Sequence, residues 1–265
     1  MPHSSRKKSS QATSQKRLEI TDAAGWTHVT TSGNARRCVR NSTSSTSTIH
    51  QQEFPSLLTP AEAPPKLTLD DLNRQFQNSL RTWKDSSTWS VVEKTLLQHT
   101  QFEENGVDSI ICIGLGSLSG FLRGGWVDRR TVSLYQLAAL VSVMDCLKTI
   151  KQTHSIQVYA QDPVFNELDT SLLASLDITV LETPLAFEKI SSRTFLFCPG
   201  AERAHLEQVL PLNPAFVFGG PLEDVESEVV SRFLATKGSV RLPQFEEQEH
   251  TFWNMRVYYP QDKRE

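Results

Sequence analysis

The chain has 265 residues, a formal net charge of −3, and 38% hydrophobic and 22% charged residues, which is low in apolar content for a chain folded from end to end. Residues 1–50 hold eight Lys or Arg against Glu19 and Asp22, about +6 by count, which leaves about −9 on the remainder. The acidic remainder argues against nucleic acid as the main target, no apolar run reaches the roughly 18 residues of a membrane span, and the four separated cysteines (Cys38, Cys112, Cys146, Cys198) match no zinc spacing and need no disulfide.

Residues 1–65 read as a disordered, basic, Ser/Thr-rich tail ending in a proline linker. Stretches such as NSTSSTSTIH at 41–50 cannot bury enough apolar area to offset chain entropy. The clusters RKK at 6–8 and RR at 36–37 are candidate nuclear-import signals or loose nucleic-acid contacts, set against a plain solvated, phosphorylatable tail. With no apolar core of a secretory signal at the N-terminus, the expected location is intracellular, in cytoplasm and nucleus. Pro55, Pro60, Pro64 and Pro65 form the linker, and residues 66–265 read as a single domain with its core at about 90–259.

The domain opens with a helical lead-in. Thr68 and Asp71 form a candidate capping box, followed by Leu69, Leu72, Phe76, Leu80 and Trp83 at three- and four-residue steps. Ser90 with Glu93 marks a second helix start. Apolar runs at 108–113, 156–160, 178–181, 194–197 and 215–218 then read as buried strands. Helical patterns separate them, the clearest at 133–150 with Ser133 and Gln136 as its capping box. Strand and helix in alternation imply an α/β fold, a Rossmann-like parallel sheet of about five strands with helices on both faces. SVRLPQF at 239–245 and HTFWNMRVYY at 250–259 complete it as a C-terminal antiparallel hairpin. Class I methyltransferases are built this way too, an analogy of fold that leaves function open.

Open α/β sheets bind ligands at the C-terminal ends of their strands, so those ends supply the candidate site. After the first strand come Gly114, Gly116 and Ser117, a glycine-rich turn whose third glycine falls one place late, at Gly120, for a dinucleotide motif. After the second come Asp162 and Pro163. Asp162 is a candidate ribose ligand, 46 residues beyond Gly116 where the motif expects about 20. The favoured reading is a helix N-cap with proline at the first helical position, and both roles can hold at once. Glu182, then Cys198, Pro199 and Gly200, then Gly219 and Gly220 end the other strands. Arg123, Arg129 and Arg130 follow the first strand as candidate anion clamps, set against solvated loop residues. Cys198 is a candidate nucleophile or haem thiolate, set against a small buried core residue. No Ser-His-Asp order, no metal-binding HxxxH and no P-loop is present. The candidate pocket edge is therefore Gly114, Gly116, Ser117, Asp162, Pro163 and Cys198, without a catalytic set. An adenosine-type ligand such as S-adenosylmethionine is the first candidate cofactor and haem the alternative.

Taken together, ICIGLGSLSG (111–120), YQLAAL (135–140), VYAQDPVF (158–165), FLFCPG (195–200) and FVFGGPLEDV (216–225) resemble the SRR1-like domain, the "sensitivity to red light reduced" family of eukaryotes. GWTHV at 25–29 resembles a short motif that precedes the domain in relatives. The resemblance implies a nuclear and cytoplasmic regulatory protein with protein partners. In plants the family is linked to light signalling and the circadian clock, and in other lineages to haem-biosynthesis regulation, clock-gene expression and microtubule-related processes. Members often carry Pro-His-Cys after the fourth strand. Here that place reads Phe197, Cys198, Pro199, so no role for that histidine carries over.

Overall fold

The structure is a computed structural model that describes residues 60–100, 106–120, 129–151 and 156–261, and the strand backbone at 17–21 and 27–31. The chain divides into two units, Met1–Ser56 and Leu57–Glu265. In the first, β1 (Arg17–Thr21) and β2 (Thr27–Thr31) pair antiparallel. The disorder expected for residues 1–65 otherwise falls outside the described residues, apart from the linker's end at 60–65. That end belongs to the second unit, with Ala61 buried against it.

In the second unit, α1 (Leu69–Lys84) starts where expected: Thr68 accepts from the Asp71 N–H at 3.1 Å, and its hydroxyl donates to the Asp71 carboxylate at 2.7 Å. The apolar stripe buries Leu72, Phe76 and Trp83. The next helix, α2 (Ser87–His99), is capped by Ser86, four residues before Ser90. Ser90 instead bonds back to the Ser86 carbonyl from within the helix. Helix α3 (Arg129–Lys151) likewise begins before Ser133. Ser133 is buried in the helix, and Gln136 donates across to the Thr251 carbonyl at 3.0 Å. Both misplaced caps are Ser-x-x-Glu/Gln patterns in which one member, Ser90 or Gln136, serves another bond. By length and composition α3 could cross a membrane, but 67% of its apolar window is buried inside the domain. It is the core helix.

The strands β3 (Ser109–Ile113), β4 (Gln157–Gln161), β5 (Thr179–Val180), β6 (Thr194–Cys198) and β7 (Phe216–Gly219) run parallel. Two more strands, β8 (Lys237–Arg241) and β9 (Arg256–Pro260), are antiparallel to each other, and β9 inserts between β7 and β8. The order is β5-β4-β3-β6-β7-β9-β8. The expected hairpin is thus present with shorter strands. Residues 242–255 between them leave the sheet because Phe245 and Phe252 turn inward around the Trp83 ring, Phe252 at 4.6 Å between centroids.

Alternation along each strand splits the interior in two. Ile110 and Cys112, Phe195 and Phe197, and Phe216 and Phe218 face one core, shared with α1, α2, α3 and α4 (Glu167–Ser175). Ile111 and Ile113, Leu196 and Cys198, and Val217 face the other, under α5 (Arg203–Val209) and α6 (Glu228–Leu234). Period-two side chains in a sheet covered on both faces require this arrangement. It sends every β-to-loop turn of the parallel strands to one edge.

At the opposite edge Asp108 ties three elements together. It accepts from Lys151 Nζ at 2.8 Å at the end of α3, and from Arg193 Nη2 at 2.8 Å and Nε ahead of β6. The Arg193 hydrogen bonds, then those of Lys151, hold its carboxyl far below the ordinary range. A depressed carboxyl stabilises the fold above its unfolded pKa of about 3.9 and loses that contribution as the pH falls below it. Asp108→Asn should therefore flatten the decline of stability between about pH 4 and pH 2, read by urea denaturation across pH. With the side chain 53% exposed the effect is modest. An unchanged acid slope would show that this cluster contributes nothing.

Candidate functional site

The glycine turn leaves β3 at Ile113 and bends sharply. Gly114 and Gly116 have φ of +73° and +77°, the left-handed region that glycine enters without steric penalty. Space adds a second constraint. A Cβ on Gly114 would lie 2.9 Å from the carbonyl carbon of Gly200, and one on Gly200 would lie 2.5 Å from the Gly114 oxygen. The turns after β3 and β6, which flank the topological switch point, thus pack backbone on backbone. A Cβ on Gly116 would meet Ser133 Oγ at 2.8 Å, so that glycine lets α3 close onto the turn.

In nucleotide-binding folds, amides of such a turn cradle phosphate. Here two carboxylates take that place. Asp162 Oδ2 accepts from the Gly116 N–H at 2.7 Å, and its Oδ1 from the Val164 N–H at 3.0 Å. Asp169, with no solvent exposure, accepts from Ser117 Oγ at 2.6 Å and from the amides of Leu118 and Ser119 at 3.1 and 2.8 Å. Its fourth donor is the Asn166 N–H at 3.2 Å. The Gly120 amide donates to Ser117 Oγ at 2.8 Å. Such a filled set satisfies a buried carboxylate that would otherwise be costly.

Asp162 therefore contacts the glycine turn, as a ligand-site residue would, and it does not cap a helix. Residues 163–164 form a turn, Pro163 is exposed, and the N-cap of α4 is Asn166, which forms a full capping box with Asp169. Proline at 163 suits that turn as well as a helix start, which is why the dipeptide misplaces the helix. Half-buried Asp162 has its pKa raised by burial and by Asp169, against the pull of the Gly116 and Val164 hydrogen bonds and of His205.

His205 of α5 is a member of this edge that sequence reading missed. Its ring lies 5.8 Å from that of Phe187, and its Nδ1 is buried without a hydrogen-bond partner. No spacing signals it, because α5 reaches Asp162 only through the sheet. Asp169 and Asn166 were also missed, although NELD at 166–169 is a capping pattern.

Cys198 is 2% exposed in the second core, and burial pushes its thiol up to about 12. At neutral pH it is a thiol, and a Cβ on Gly219 would come within 3.0 Å of its sulfur. A porphyrin has no approach to that atom without opening the core, so the placement suits a packed residue. Glu182 and Gly200 are exposed at the edge. Behind Gly219 and Gly220, Tyr258 Oη accepts from the Leu222 N–H at 2.8 Å and donates to Glu223 at 2.6 Å. Arg123 lies outside the described residues. Arg130 turns to Gln75 at 2.6 Å. It borders a hollow of about 330 Å³ with Lys66, Asp71, Arg74 and Asn78, on the α1 side rather than at the strand ends. Among the described residues no group of three or more His, Cys, Asp or Glu is placed to hold a metal ion.

Asp169→Ala leaves two buried amides and the Ser117 hydroxyl without their acceptor and should destabilise the domain by about 3–5 kcal/mol. Asp162→Ala, at a half-buried position, should lose only about 1–2 kcal/mol. Chemical denaturation of the two variants checks the ranking, and equal losses would contradict it.

Compared with known proteins, residues 74–259 match the model of the SRR1 domain. No curated protein and no solved structure gives a significant match.

Proposed function

This chain belongs to the SRR1 domain family, and from that premise we propose that it is an intracellular regulatory protein that acts by binding partners rather than by catalysis. One observation carries the reading. The buried carboxylates and turn amides that a catalyst would hold ready at the strand ends are engaged in holding the loops to each other. Asp162 and Asp169 fill the turn amides, and Cys198 is an inert thiol. The opposed charge of the two parts, a basic segment at 1–50 and an acidic remainder, suits an arm that recruits or localises and a body that presents a surface. Cytoplasm and nucleus are the proposed locations. Light and clock signalling, haem-biosynthesis regulation and microtubule-related processes are the proposed settings.

A second reading has its own support. Asp162 is half-buried at the end of the strand beside β3 and contacts Gly116, in a sheet whose parallel strands end in an antiparallel pair, as in the methyltransferase analogy. An adenosine-type ligand such as S-adenosylmethionine would meet Asp162 through its ribose hydroxyls. It would bring no phosphate to a turn whose Gly116, Leu118 and Ser119 amides are already occupied.

Thermal unfolding with adenosine, S-adenosylmethionine and S-adenosylhomocysteine at millimolar concentration separates the two. Binding at 100 times Kd adds about 2.7 kcal/mol, which raises Tm by several degrees in a domain of this size. The first reading expects no shift. A shift of several degrees that Asp162→Ala removes would establish the second in its place.

A further inference from the structure

We propose that the hollow between α1 and the start of α3 is an anion site that takes a phosphorylated serine or threonine of a partner. Its volume is about 330 Å³, at the small end of the roughly 300–1,000 Å³ of ligand pockets. Three of its lining side chains are cations, Lys66, Arg74 and Arg130, and one is an acid, Asp71. This local excess of positive charge stands on a part of the chain that carries about −9 by count. A contrast of sign of this kind draws an anionic ligand to one place on a net-acidic body.

The sequence builds the hollow along one helix face. Asp71, Arg74, Gln75 and Asn78 recur at the three- and four-residue steps that align side chains along α1. Leu72, Phe76 and Trp83 occupy a different face and are buried. Arg130, near the start of α3, reaches across to the first: its Nη2 donates to Gln75 Oε1 at 2.6 Å, which fixes the guanidinium at the rim. With the Gln75 oxygen taken, what that side chain offers a ligand is its amide donor, and Asn78 carries another. The segment before α1 adds Pro64, Lys66 and Leu67, and the Lys66 ammonium has no acid partner among the described residues. Arg130 is thus an anion clamp, as its sequence position suggests, with α1 and away from the strand ends.

Asp71 does not cancel the set. Its Oδ2 accepts from the Thr68 hydroxyl at 2.7 Å and its Oδ1 from Arg74 at 3.2 Å, so its charge is met within α1 and its cap. Three cations less one acid leave an excess of two among the lining residues. A phosphate monoester brings about −1.5 to −2 at neutral pH, which matches that excess. Guanidinium groups pair their N–H donors with phosphate oxygens, and the lysine adds a point charge on a flexible stem. The site rests on the partner-binding reading and gives that partner a chemistry. Its test is separate from the nucleoside titration: a phosphopeptide that fails here leaves a partner surface elsewhere on the body.

Heteronuclear NMR of the full chain titrated with a short Gly/Ala peptide carrying one central phosphoserine tests the site, with the unphosphorylated peptide and inorganic phosphate as the other arms. The phosphopeptide should shift the amides of Lys66, Arg74, Gln75 and Asn78 together and saturably at millimolar concentration. The unphosphorylated peptide, without the charge, and inorganic phosphate, without the flanking contacts to Pro64 and Leu67, should each bind at least about fivefold more weakly. Lys66→Gln combined with Arg74→Gln changes two exposed side chains and should weaken the phosphopeptide at least about tenfold. Asp71→Asn, which releases Arg74 and keeps an oxygen for Thr68, should tighten it. No saturable shift, equal binding of the unphosphorylated peptide, a shift that survives the double substitution, or weaker binding to Asp71→Asn each overturns the proposal. Equal binding of inorganic phosphate overturns the assignment to a phosphorylated partner.

Discussion

The carboxylate of Asp169 is the interaction on which the strand-end edge depends. It is fully buried and accepts from the Ser117 hydroxyl, two turn amides and the Asn166 amide. Through it the turn after β3 is fixed to the start of α4, more than 45 residues later in the chain. Asp162 repeats the arrangement one step nearer the strand. A glycine turn of this kind presents donors to an anion, and here the chain supplies the anions itself. The turn becomes a structural joint between neighbouring loops, and a ligand at this edge meets the half-buried Asp162 carboxylate instead of a row of free amides.

The sheet makes that joint possible by delivering both loops to the same edge. Two cores of unequal make-up hold it in place, one with four helices and the Trp83, Phe245 and Phe252 cluster, the other with two short helices. Around the switch point the Gly114 and Gly200 backbones touch, which narrows the crevice where ligands of open α/β sheets lie. The same close packing continues to Gly120 and Ala61. From the first glycine to the third, each missing side chain is filled by another part of the chain.

Most of the fold was legible because its signals are local. Five apolar runs announced the parallel strands, and the Thr68 cap with the stripe to Trp83 announced α1. Errors arose where a local pattern had a tertiary use: Ser133 and Gln136 looked like a cap and are buried contacts to the turn and to Thr251. Asp162 with Pro163 looked like a helix start and is a turn whose carboxylate reaches Gly116. Of the candidate edge, Gly114, Gly116, Ser117 and Asp162 do come together, whereas Cys198 faces the core. Asp169 shows in the sequence only as the end of the NELD capping pattern, and His205 and Ala61 show no sign, because each makes its tertiary contacts between distant segments. A single alanine in a proline-rich stretch has no periodicity to read.

Asp162 and Asp169 occupy the amides of Gly116, Leu118 and Ser119, which are therefore not open to phosphate. Heteronuclear NMR of the full chain titrated with inorganic phosphate and with adenosine monophosphate measures this directly at the amides of Gly116, Leu118 and Ser119. These three resonances should stay in place at millimolar concentration of either compound. A saturable shift of the three together would contradict the assignment of Asp162 and Asp169 as the occupants of the turn.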